Sequence, residues 1–313
     1  FISLWCLGAQ RKGMVIIMKQ VIFTGAATAL VTPFDKNGDI SWGEIERLVE
    51  FQIEGGIDAI VACGTTGEAA TMTTEDHIKV IQFIIDRAKG RVPVIAGTGS
   101  NDTQFCVELS LEAKEAGADG LLLVTPYYNK TSQKGLIESF NYVADSVKMP
   151  CILYNVPSRT GCNIQPATYK ELSKNPYIVA VKEANGDIAA TARTAALCGD
   201  ELTIYSGEDN QTLPVMALGG KGVISVFSNA LPSVMHQLAA AMLKGDLESA
   251  RKLNAEYLDL MDGFFMDVNP IPIKEAMCQM GLIQSNYCRM PLTTMAEEGK
   301  AKLTALLQKH GLV

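Results

Sequence analysis

From Val21 onward, short runs rich in valine, isoleucine, leucine and alanine alternate with longer stretches whose apolar positions recur at helical spacing. Strands buried on both faces read as continuous apolar runs and surface helices as a one-sided stripe, so this alternation is that of parallel βαβ units. The pattern predicts strands at Ala26–Thr32, Ala59–Ala62, Val92–Ala96, Gly120–Val124, Ile152–Tyr154, Ile178–Lys182, Thr203–Ser206 and Gly222–Val226. It predicts helices over Ser41–Glu54, Thr73–Ala88, Asp102–Ala116, Ser132–Val147, Pro166–Lys174, Asp187–Leu197, Asp209–Leu218 and Pro232–Lys244. Two of these helices open like capping boxes, Ser41 with Glu44 and Thr73 with Asp76.

Eight strands alternating with eight helices favour closure, which removes sheet edges. The expected fold is therefore α/β, a (β/α)8 TIM barrel over residues 21–245, with a doubly wound sheet as the alternative. Residues 246–313 add helical sequence without a strand, at Asp246–Asp262, Ile271–Met280 and Thr294–His310, and are expected to pack outside the barrel as a C-terminal helical segment. The opening residues 1–20 carry two apolar patches, Phe1–Leu7 and Met14–Met18, around Arg11 and Lys12. A signal peptide puts its charge first and a small-residue cleavage site last, so we expect here an N-terminal extension outside the fold.

Composition narrows the function classes. The 313 residues are 48% hydrophobic and 19% charged, enough apolar material for a large core. The net charge of −7, without a dense basic stripe, argues against nucleic acid as a partner. No apolar run approaches the roughly 18 residues that a bilayer requires, so no membrane partner is expected. The eight cysteines are scattered with no Cys-x-x-Cys pair, and read as reduced core residues of a cytoplasmic protein. His77, His236 and His310 lie far apart, and no His-Glu-x-x-His occurs. No catalytic metal is expected, which leaves only carboxylate-bound Mg²⁺ open.

In a barrel of this kind chemistry gathers at the C-terminal ends of the strands. The sixth predicted strand is wholly apolar until it ends at Lys182, and alternation puts that lysine on the face of Ala180 and Ile178. Facing inward it would be desolvated and could attack a carbonyl as a free amine; facing outward it is an ordinary solvated lysine. Tyr154 ends the neighbouring fifth strand and is either a proton shuttle or a satisfied interior phenol. After the second strand, Gly64-Thr65-Thr66-Gly67-Glu68 is either mere punctuation or a turn whose N–H groups seat a carboxylate while the Thr65 hydroxyl relays a proton. No Lys-Ser/Thr follows Gly67, so it is not a P-loop.

Together with Val124-Thr125-Pro126-Tyr127-Tyr128-Asn129-Lys130, Tyr154-Asn155-Val156-Pro157-Ser158-Arg159-Thr160-Gly161 and Val181-Lys182-Glu183-Ala184, that turn makes a set of four ordered motifs. From about Phe23 to the C-terminus the chain resembles the dihydrodipicolinate synthase branch of the N-acetylneuraminate lyase superfamily. The resemblance implies condensation of pyruvate with L-aspartate 4-semialdehyde through an imine on Lys182, with no organic cofactor. It implies a proton relay of Tyr154, Thr65 and Tyr128, the last donated by a neighbouring subunit of a homotetramer built as a dimer of dimers. It places the second substrate's carboxylate on Arg159, the pyruvate carboxylate on Thr66, and pocket wall at Gly207 and at the carbonyl of Ile224. By themselves Arg159 could be a surface ion-pairing residue and Gly207 a plain turn.

Many members are inhibited by L-lysine at a dimer-interface site, to which His77, Asn101 and Tyr127 correspond. Where sensitive enzymes carry a glutamate, this chain has Phe105, which implies weak inhibition or none. Two rivals remain: a sugar-acid lyase or dehydratase of the same superfamily, and a catalytically silent metabolite-binding barrel. The Ser158-Arg159-Thr160-Gly161 context and the double threonine favour the synthase over the first, and the presence of every relay hydroxyl argues against the second.

Overall fold

The computed structural model describes Lys19 and residues 21–313, so the expected extension over 1–20 lies, Lys19 apart, outside the described residues. Lys19 donates from Nζ to the carbonyls of Ser173 and Ile178, the latter at 2.6 Å. Strands β1 (Gly25–Ala29), β2 (Ala59–Ala62), β3 (Val94–Gly97), β4 (Gly120–Val124), β5 (Cys151–Asn155), β6 (Ile178–Glu183), β7 (Thr203–Ser206) and β8 (Gly222–Ser225) pair in parallel and in chain order. Strand β8 closes on β1, which makes the expected barrel.

Alternation along these strands sorts the side chains into two sets. Ala27, Ala29, Ala59, Val61, Ile95, Leu122, Ile152, Ala180 and Ile224 form the inner cluster. Their neighbours Ile60, Leu121, Leu123, Leu153, Val181 and Val223 face outward and pack with helix residues such as Leu48, Ile81 and Leu136. Each fully buried aliphatic side chain of this kind stabilises the fold by about 1.5–3 kcal/mol. Phe23, just before β1, stacks on Tyr205 at 4.3 Å and plugs the N-terminal end of the barrel. The β1–β8 seam is backbone against backbone: a Cβ at Gly222 would lie 1.8 Å from the Gly25 carbonyl oxygen, so Gly222→Ala would force the seam apart.

The surrounding helices are α1 (Trp42–Glu54), α2 (Thr74–Ala88), α3 (Thr103–Glu115), α4 (Gln133–Val147), α5 (Pro157–Thr160), α6 (Pro166–Leu172), α7 (Ile188–Cys198), α8 (Thr212–Ala217) and α9 (Pro232–Leu243). The C-terminal segment follows as α10 (Leu247–Gly263), α11 (Ile271–Gln279) and α12 (Glu297–Lys309). Thr73 caps α2 as expected, its hydroxyl accepting from the Asp76 N–H. Ser41 makes no such bond: the Glu44 N–H donates to the Ser41 backbone carbonyl at 3.1 Å, and the Glu44 carboxylate accepts from the Gln284 N–H rather than from Ser41.

Three departures have physical causes. Strand β1 stops at Ala29 rather than Thr32, since the Val31 N–H is taken by the Asn229 side chain instead of a neighbouring strand. A register shift opposite Cys151 and Ile152 turns Ile178 to the outer cluster, so Lys182 shares its face with Ala180 but not with Ile178. The one-turn α5, which carries Arg159, is too short to show a helical period. As for the C-terminal segment, α10 lies on α9 outside the barrel, but its connecting residues 264–270 and 285–292 return to the barrel mouth, where Val268, Asn269, Pro291 and Leu292 line a cavity.

Candidate active site

That cavity, about 450 Å³, opens at the C-terminal ends of the strands. Thr65 from the β2 turn, Tyr154 from β5 and Arg159 from α5 all line it. Tyr154 and Lys182 stand opposite each other in the β5–β6 register, both on the inner face. The Lys182 Nζ lies 4.3 Å from the centre of the Tyr154 ring, and the lysine is only 5% exposed. The inward alternative for this lysine is thus the one the fold adopts.

Burial sets the electrostatics. The Lys182 ammonium is pushed down to about 8, chiefly by desolvation and further by the Arg159 guanidinium, while the Asp209 carboxylate works against the shift. With a pKa near 8, about a tenth of the amine is neutral at pH 7, against well under a thousandth for an ordinary lysine. Burial pushes the Tyr154 phenol the other way, up to about 12, with Glu208 adding to the rise and Arg159 and the Thr65 hydroxyl opposing it. The pair therefore combines an amine that sheds its proton readily with a phenol that keeps its own. That is the polarity required of a nucleophile beside a proton donor.

The remaining expected residues separate into three groups. Thr66 is buried, and its hydroxyl accepts a 3.0 Å hydrogen bond from Asn269 Nδ2. Gly207 sits where a Cβ would come within 3.1 Å of the Lys182 Cγ and 2.8 Å of the Ala184 Cβ, so its missing side chain keeps room for the lysine stem. Ile224 is fully buried in the inner cluster. His77, Tyr127 and Phe105 also line this cavity, with His77 Nε2 2.8 Å from the Gly97 carbonyl oxygen. Asn101 donates from Nδ2 to the Tyr127 carbonyl at 3.2 Å. Tyr128 stands apart: it is 92% exposed, in the left-handed region at φ 69°, and does not reach the cavity from its own chain.

Three further groups bear on the site. Asp209, in the turn that follows β7, is buried, and its Oδ2 accepts from the N–H groups of Val226 and Phe227 at 3.1 and 2.9 Å. Asn269 holds Thr66 from the C-terminal segment. Glu68, in a left-handed conformation at φ 56°, anchors the double-threonine turn by accepting from Lys274 Nζ at 2.7 Å and from the Arg289 N–H at 2.8 Å. The position of Asp209 at a strand-to-helix junction was a usable signal; Asn269 carries none, because only the return of residues 264–270 brings it to the mouth. Among the described residues, no cluster of three or more His, Cys, Asp or Glu side chains could hold a metal ion, and no helix is long and apolar enough to cross a membrane. Seven cysteines among them are free.

Residues 22–310 match the family model for the dihydrodipicolinate synthetase family. A 4-hydroxy-tetrahydrodipicolinate synthase of Acetivibrio thermocellus is 49% identical over 296 residues, which cover 95% of this chain and 100% of that one. Among solved structures, dihydrodipicolinate synthase from Aquifex aeolicus superposes with a TM-score of 0.90 at 44% identity, covering 93% of this chain and 99% of that one. A chloride-inhibited dihydrodipicolinate synthase from Acinetobacter baumannii, complexed with pyruvate, superposes with a TM-score of 0.91 at 42% identity, covering 94% of this chain and 100% of that one. With a matching model over nearly the whole chain and the site residues gathered at the expected end of the barrel, the chain belongs to the dihydrodipicolinate synthetase family.

Proposed function

We propose that this protein is a 4-hydroxy-tetrahydrodipicolinate synthase, which condenses pyruvate with L-aspartate 4-semialdehyde through an imine on Lys182. The observation that carries this reading is the buried amine, lowered to about 8 and set over the ring of Tyr154, which itself lines a cavity together with Thr65 and Arg159. The neutral amine attacks the pyruvate ketone, and loss of water gives a cationic imine. That cation draws electrons from the methyl group, whose proton leaves to give an enamine, the carbon nucleophile that adds to the aldehyde. Tyr154 and Thr65 move the protons, and the Arg159 guanidinium suits the carboxylate of the second substrate because it can hold both oxygens. Thr66, fixed by Asn269, faces the pyruvate carboxylate in this scheme.

Tyr128 completes the relay only from another copy of the chain, for which its full exposure leaves it available. A homotetramer built as a dimer of dimers is the assembly this reading favours. The test is borohydride reduction in the presence of pyruvate followed by peptide mapping: a covalent adduct on Lys182 is expected, and an adduct elsewhere or none refutes the mechanism. A parallel assay with aspartate semialdehyde and with sialic acid separates the synthase from the sugar-acid lyase, and turnover of sialic acid alone would overturn the assignment.

A further inference from the structure

Directly after Lys182, strand β6 carries a second buried ionisable residue, Glu183. Glu183 is 5% exposed and points to the opposite, outer face of the strand. Its Oε1 accepts from Asn155 Nδ2 at 3.0 Å and from the Asn185 N–H at 3.1 Å, and its Oε2 accepts from the Tyr169 hydroxyl at 2.8 Å. Asn155 carries the network onward: its Nδ2 also donates to Asn163 Oδ1 at 2.8 Å, and its Oδ1 accepts from the Ile164 N–H at 3.1 Å. Since the β5–β6 register pairs Tyr154 with Lys182 and Asn155 with Glu183, the carboxyl forms a side-chain rung immediately behind the reacting pair.

Three functional parts meet at this rung. Lys182 is its chain neighbour, Tyr154 is the chain neighbour of Asn155, and the segment from Asn155 to Ile164, closed at its base by Asn155, is the one that carries Arg159. None of the carboxyl's hydrogen-bond partners is a cation, and burial pushes Glu183 up to about 7 against the pull of Tyr169 and Asn155. An apolar side chain here would leave the Tyr169 hydroxyl and the Asn185 N–H as buried donors without an acceptor, so the carboxyl is what ties Asn155 and Tyr169 to this rung.

We propose that Glu183 is a positioning residue, which sets the relation of Lys182, Tyr154 and Arg159 by accepting hydrogen bonds from Asn155, Tyr169 and the Asn185 backbone. The proposal rests on the Lys182 imine reading. In the full chain, Glu183→Gln preserves shape but replaces one acceptor oxygen with an NH₂ group that faces donors, and Tyr169→Phe removes one donor. Borohydride with pyruvate counts the competent sites, and kcat is then expressed per trapped site. Glu183→Gln is expected to lower kcat per trapped site by about 10- to 100-fold, because sub-ångström misplacement of reacting groups costs rate steeply. The KM for pyruvate should stay within about threefold, as ground-state binding is kept. Tyr169→Phe should move kcat per site in the same direction by a smaller factor, and decides the matter if Glu183→Gln does not fold. A merely structural role would reduce the number of trapped sites and leave turnover per site unchanged; that result in both variants overturns the proposal alone. Failure of the unaltered enzyme to trap pyruvate would overturn the imine reading and this proposal with it.

Discussion

Two lysines are buried among the described residues, and they live by opposite rules. Lys274, on α11, is fully buried with its Nζ 2.7 Å from a Glu68 oxygen, 3.0 Å from the Thr32 carbonyl and 4.4 Å from the centre of the Phe34 ring. Lys182 is nearly as buried, yet its Nζ makes no ion pair and faces a ring instead. Burial of an ammonium is costly in both places. A bonded carboxylate offsets that cost and leaves a structural cation, whereas its absence lowers the proton affinity and leaves an amine suited to the nucleophile's part proposed above. What separates structure from chemistry here is the partner, not the depth.

Exchanging each lysine for methionine breaks the comparison most sharply. Lys182→Met should abolish the borohydride adduct and cut kcat by on the order of 10³-fold or more, with little change in melting temperature. Lys274→Met should do the reverse: Glu68 would be left buried and unpaired at a cost of about 3–5 kcal/mol, lowering the melting temperature by roughly 10 °C, while molecules that remain folded still trap pyruvate. Thermal melts beside trapping assays check both. A Lys182→Met protein that still forms the adduct, or a Lys274→Met protein of unaltered stability, would remove the distinction.

The two lysines also differ in how legible they were. Lys182 terminates an apolar strand, and because strand periodicity and the barrel's active end are both local rules, its place, like those of Tyr154 and Thr65, could be read along the chain. All eight strands were legible for the same reason, to within a few residues at each end. Lys274 sits in a helix whose docking site is fixed by a pairing with Glu68, more than two hundred positions earlier. Nothing in local periodicity announces such a pair, and Asn269 on Thr66 was hidden in the same way. Glu183 was legible as a motif letter, but its role depends on a rung across β5 and β6 that only the register reveals. The inserted residue at Val179 is likewise invisible to a strict two-residue period, which assigned Ile178 to the wrong face.

Arg159 sharpens the contrast, since it is a cation in the cavity that lowers the affinity of Lys182 for its proton. Arg159→Ala should cost about 10²-fold in kcat/KM for aspartate semialdehyde, the worth of a charge-assisted pair of hydrogen bonds, while the imine with pyruvate still forms. Equal damage to imine formation and to use of the second substrate would show that its role is general rather than specific to that carboxylate.

Smaller, but with a defined sign, is the effect of charge around Lys182. Only the neutral amine attacks, so the rate of imine trapping should rise with pH through about 8 and then level off. Asp209 raises the lysine and Arg159 lowers it. Asp209→Asn, which can still accept from the Val226 and Phe227 amides, should therefore shift the rising limb to lower pH, and Arg159→Ala should shift it to higher pH. Stopped trapping over a pH series measures both midpoints, and shifts of the same sign in the two variants would contradict the electrostatic account.

The smallest expected response is to free L-lysine, and it turns on the same rule. An incoming ammonium beside His77, Tyr127 and the Phe105 ring of the cavity lining finds no carboxylate at position 105 to serve it as Glu68 serves Lys274. Burying that charge without a partner costs more than the contact returns. Activity titrated with L-lysine should thus stay nearly flat, and half-inhibition at submillimolar concentration would refute the argument. Phe105→Glu supplies the missing partner on the first turn of α3, and should turn the flat titration into a saturable one. If that variant stays insensitive while keeping full activity, the partner rule that distinguishes Lys182 from Lys274 does not extend to a bound amine at this cavity.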